Sequence, residues 1–166
     1  MDGTGETERW HVVAADADAA AQWRLLAWCA AHGGDELTVE VMALAGTPAP
    51  LADAFEDALS PHELAPAVRP VLEEGTGPVS LGRVRRWRLD ARTLPLLRPF
   101  LPDGPLAYGA HGPGEAGWLE NLAVYRAGEL LLACVTHEGA GALFLHPGER
   151  ATVEALGVPL RAPGDG

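Results

Sequence analysis

Hydrophobic and polar positions alternate along this chain in blocks, and the period of each block predicts its element. Arg9 to Ala15 brings Trp10, Val12 and Val13 out of an acidic start and reads as a first strand. Asp16 or Asp18 then caps a helix running to about His32, because a short side-chain oxygen accepts the free amides of a first turn. Ala19, Trp23, Leu26 and Ala30 fall at helical spacing as its buried stripe, widened by Leu25, Trp28 and Cys29, and Gly33-Gly34 ends it. Leu37, Val39, Val41 and Ala43 alternate with Thr38, Glu40 and Met42, the period of two of a strand with unlike faces.

Gly46 to Pro50 predicts a turn and Leu51 to Leu59 a short helix. Ser60-Pro61-His62-Glu63 has the form of a capping box with proline at the first helical position. Pro66 and Pro70 lack an amide hydrogen and predict broken helical turns up to Glu74. Gly75 to Pro78 is a candidate hinge, Val79 to Leu89 a strand, and Asp90 the cap of a short helical piece broken by Pro95 and Pro99. Pro102 to Gly117, dense in Gly and Pro and holding His111, predicts a long loop. Trp118 to Tyr125 and Glu129 to Val135 predict a hairpin through Arg126-Ala127-Gly128, followed by a third strand at Gly141 to Leu145. Pro147 and Gly157 bracket a closing helix, Gly148 to Leu156.

The fold class that follows is α+β (mixed α/β). A single globular domain over 9–157 holds an N-terminal strand-helix-strand unit and a C-terminal antiparallel three-stranded meander followed by a helix. An acidic disordered tail at 1–8 and a flexible tail at 158–166 flank it.

Composition narrows the function classes. The chain has 166 residues, enough for one core without disulfides or metal. Lysine and isoleucine, both specified by AT-rich codons, are missing, which points to a GC-rich bacterial genome and lowers the weight of any alanine run. A formal net charge of −11, from 23 acidic and 12 basic residues, opposes phosphate backbones and steers basic partners inward. Nucleic acid is therefore not expected. No segment reaches the length of a membrane span and Met1 to Glu8 has no signal character, so the expectation is a cytoplasmic protein without a membrane partner.

Three constellations carry chemistry. A doubled Cys-x-x-His, Cys29 with His32 and Cys134 with His137, has a zinc-like composition. Odd spacing on a strand turns Cys134 and His137 to opposite faces, so the reading is two buried cysteines and no metal or other cofactor. Thr136-His137-Glu138-Gly139 leaves an apolar strand, and an imidazole oriented by Glu138 or Glu120 is the minimum for a general base, with His111 a further candidate. Gly82 to Arg92 gathers five of the twelve arginines and reads as an exposed or edge strand with Arg83, Arg85 and Trp87 on one face and Arg86 and Arg88 on the other. These arginines either neutralise Asp53, Glu56, Asp57, Glu73 and Glu74 within the chain or receive an anion or nucleotide. Trp28 and Trp118 are candidate partner contacts, since tryptophan is enriched in binding hot spots.

The chain has no phosphate-loop, dinucleotide-binding or HExxH motif, and only Ser60 and Ser80 as serines. The leading expectation is a small acidic binding protein of immunity, adaptor or regulatory type, without catalysis, that engages another protein, possibly basic; a homodimer is compatible with it. The rival expectation is a small enzyme or ligand binder with a pocket between the 102–117 loop and His137.

Overall fold

The computed structural model describes residues 5–107 and 117–165. Asp18 accepts the Ala21 amide at 2.7 Å and opens α1 (Ala19–Ala31), whose Leu25, Leu26 and Cys29 are fully buried. β1 (Glu8–Val13) precedes this helix and β2 (Gly34–Ala43) follows it, so the strand-helix-strand start stands. The chain then forms α2 (Pro50–Leu59), β3 (Glu63–Leu72), β4 (Val79–Arg88) and α3 (Leu94–Leu97). After the undescribed stretch come β5 (Gly117–Arg126), β6 (Glu129–Val135), β7 (Ala140–Leu145) and α4 (Glu149–Glu154). The described strands form one seven-stranded antiparallel sheet in the order β1-β7-β6-β5-β2-β4-β3. A mixed fold is thus observed, with four helices among the described residues.

Four local expectations change. The C-terminal strands are consecutive neighbours, but they are not a separate three-stranded unit: β1 and β2 continue the sheet on either side. Glu63 to Leu72 is a strand, not broken helical turns. Its prolines suit it, because β3 is the sheet's outer edge, where a missing amide leaves no ladder bond unmade. Ser60 makes no side-chain cap; it closes α2, and Ser60–His62 continues as a 3-10 turn into β3. Gly75 to Pro78 is the tip of the β3–β4 hairpin, where Gly75 takes a positive φ of 72°.

The 158–161 segment, expected as tail, is docked: Val158 is 1% exposed, and His11 and Arg161 exchange backbone bonds of 2.8 and 2.9 Å. Arg161 also donates to Asp16.

The sheet buries both faces unequally. On one side the helices cover the main core, in which Trp23, Leu26, Phe55, Trp87, Leu122 and Leu143 meet. Buried Gln22 ties α1 to the incoming loop by donating to the Ala17 carbonyl and accepting the Leu106 amide at 3.0 Å. On the other side Ala123, Tyr125, Leu130 and Ala133 form a smaller cluster, against which Leu72 and Phe144 pack. None of the described helices is long and apolar enough to cross a membrane.

Candidate functional site

β2 pairs with β5 as far as Ala43 but with β4 only at Glu36–Arg88 and Leu37–Trp87. Beyond Leu37 the two strands diverge. The β3–β4 hairpin leaves the sheet and returns over its second face, so that Leu72 rests on the Ala123–Tyr125 cluster and the Gly75 amide donates to the Glu138 carboxylate at 3.0 Å. Between hairpin and sheet lies a cleft of about 1120 Å³.

One end of the cleft is closed by charge. Glu36 of β2 accepts Arg69 of β3 through two bonds of 3.0 Å and Arg86 of β4 through Nη1, so a single carboxylate holds both arms of the hairpin. Tyr125 completes the closure by donating its hydroxyl to the Pro70 carbonyl at 2.9 Å. Burial pushes the Tyr125 phenol up, against the opposing pull of a hydrogen bond with Thr38.

A bulge builds the opposite end. Asn121 stands at φ 50°, and one extra β5 residue is accommodated between the Thr38 and Glu40 pairings. Leu119 and Leu122 consequently both face the main core, whereas Glu120 and Asn121 line the cleft. The Asn121 amide donates to the Thr136 hydroxyl at 2.8 Å and its Oδ1 accepts the Thr136 amide at 3.0 Å, which fixes the turn carrying His137. Asn121 Nδ2 donates to Glu40 at 3.0 Å, and Glu40 stands directly across the β2–β5 ladder from Glu120. Glu73, Glu74 and Arg83 line the hairpin side.

His137 and Glu120 line the same cleft, as do Arg83 and Arg85. Glu138 is close by but is engaged with the hairpin tip. His111 lies outside the described residues. The arginine strand is largely exposed, as one of the two alternatives had it, but it is not an edge: β3 covers one side of it and β2 its root. Its side chains separate, Arg85 pairing with Glu56 and Glu63 at 2.7 and 2.8 Å, Arg86 with Glu36, and Arg88 standing exposed beside a second, smaller depression. Of the five acids expected to neutralise this segment, Glu56 does so; Glu36 and Glu63 supply the remainder.

Trp87 is 0% exposed and Trp28 7%, so neither presents a contact surface. Trp28 instead stacks on His32 at 4.3 Å, and His32 Nδ1 is 2.8 Å from the Trp28 carbonyl. Trp118 is half-buried. Cys29 and Cys134 are core residues; burial pushes the Cys29 thiol up to about 12 and raises that of Cys134 as well. No three metal-binding side chains converge among the described residues.

No family profile, curated protein or solved structure matches this chain. The cleft has to be read from its own chemistry. It offers an apolar floor at Ala123, Ala133 and Val135 beneath a rim of carboxylates, one imidazole and two guanidiniums. The polar face of β2 was visible in sequence as Thr38 and Glu40; the bulge at Asn121 and the clamp at Glu36 were not. An asparagine amid an apolar strand was the available signal, since that residue is depleted in regular strands.

Proposed function

We propose that the protein is a binding domain that receives a basic segment of another protein in the cleft beneath the β3–β4 hairpin. The observation carrying this reading is the divergence of β2 from β4 after Leu37–Trp87, which opens a large, partly apolar space in an otherwise continuous sheet. The charge of the walls selects the ligand. Glu40, Glu73, Glu74 and Glu120 line the cleft with Arg83 and Arg85, and Arg85 is already held by Glu56 and Glu63. A cationic ligand is drawn in and an anionic one repelled.

A test is an NMR titration of the whole chain with an octapeptide of arginine and valine at moderate salt. Shifts concentrated on Ala123, Ala133, Tyr125 and His137 are expected, weakening as salt rises. Shifts scattered over the acidic exterior, or none, would defeat the reading. Catalysis on His137 and Glu120 finds less support, because Cys134, the thiol that precedes His137 by three residues, packs in the main core, where burial raises its pKa.

A further inference from the structure

We infer that the basic segment enters this cleft as an extended strand and adds to the exposed inner edge of β2; the inference rests on the binding role proposed above and specifies its mode.

The sheet guards its outer edges. β1, at one margin, is bridged at its middle by the 158–161 segment, where the His11 and Arg161 backbones pair. β3, at the other, carries Pro66 and Pro70 and a bulge between Leu64 and Ala67. These are the ordinary devices by which a sheet prevents a foreign strand from pairing with it.

The inner edges carry no such device. The Leu89 amide donates to the Asp35 carbonyl at 2.9 Å, so Asp35 directs its backbone oxygen toward β4. Period-two alternation directs the backbone groups of Leu37, Val39 and Val41 the same way. Leu37 has Trp87 as partner, and past it β2 has no strand partner on that side among the described residues. The bare stretch Val39–Ala43 has neither proline nor glycine and is long enough for about 17 Å of added strand. Main-chain bonds along this edge would supply affinity, and alternate side chains would reach the cleft floor or its carboxylates.

Charge places the guest on β2 and not on β4. Glu40 lies on β2 with Glu120 beside it on β5, whereas the corresponding stretch of β4 carries Arg83 and Arg85. An arginine or lysine at alternate positions of the guest therefore meets the carboxylate wall, with small apolar residues between.

The experiment uses the full chain and three fluorescent octapeptides of alternating arginine and valine: one unmodified, one N-methylated at every arginine, and one at every valine. In a strand, successive amides point to opposite edges, so pairing with one edge of β2 requires only one of the two sets. The expected result is that one methylated peptide loses about tenfold or more in affinity while the other binds within about twofold of the parent. Equal binding by all three would overturn strand addition yet leave the cationic cleft standing. Failure of the unmodified peptide to bind would overturn both. Glu40→Gln should weaken the parent peptide several-fold; an unchanged affinity would count against β2 as the host edge.

Discussion

A single backbone conformation organises the cleft mouth. Asn121 occupies the left-handed region, which costs an ordinary side chain about 1–2 kcal/mol and asparagine less, and it recovers that cost through bonds to Thr136 and Glu40. Asn121→Ala should therefore destabilise the fold by about 2 kcal/mol, the sum of lost hydrogen bonds and restored strain, as read by urea unfolding. Asn121→Gly should cost less, because it loses the same side-chain bonds but relieves the backbone. Equal costs for the two would show that strain plays no part. Sequence pattern revealed that 118–125 is a strand but not that it is bulged, since Leu119, Leu122 and Val124 satisfy alternation from either end and conflict only across Asn121. Cap chemistry, by contrast, is local to three residues: of the two candidates Asp16 and Asp18 it is Asp18 that caps α1, while Asp90 accepts the Arg92 and Thr93 amides at 2.8 and 3.1 Å in the turn before α3, whose own N-cap is Thr93.

At the scale of elements, the hairpin β3–β4 decides what the molecule is able to bind, and its stability is concentrated at Glu36. Glu36→Gln should weaken both guanidinium contacts, costing roughly 2 kcal/mol, and should raise hydrogen exchange in Ala67–Leu72 and Val79–Val84 well above that of β5–β6. Uniform acceleration over the whole sheet would contradict the clamp. The same hairpin is where the sequence misled most. Pro66 and Pro70 exclude a regular helix and a central strand alike, and only knowledge that β3 lies at the margin makes a strand permissible. Nor did alternation in Val79–Leu89 disclose that Trp87 would be interior: it faces Phe55 edge-on at 5.4 Å, a partner some thirty residues distant in sequence.

Taken whole, the molecule is held at its carboxyl end by a half-buried ion pair. Arg126 of β5 reaches Glu149 of α4 at 2.7 Å, and Glu149 also accepts the His146 amide at 2.8 Å. Burial pushes the Glu149 carboxyl up, but the Arg126 bond and the His146 amide outweigh it and leave the group below its ordinary value. A carboxylate lowered in the folded state adds stability above its unfolded value, about 4.3, and that stability is lost as pH falls through the folded value. Glu149→Gln should cost about 1–2 kcal/mol at neutral pH and flatten the acid limb of the stability curve below about pH 4. An acid limb unchanged in slope would assign acid sensitivity to other carboxylates, with Glu63 and Asp90, both also lowered, first among them.

The two core cysteines have a practical corollary. Cys29 on α1 is fully buried, whereas Cys134 on β6 is 4% exposed where it borders the cleft, and burial raises both thiols, so Cys29 is expected to be the slower of the two to meet oxidants and alkylating reagents in the native state. The pace at which a thiol dye consumes Cys29 is then a clock of how often the core around α1 opens, requiring no engineered label.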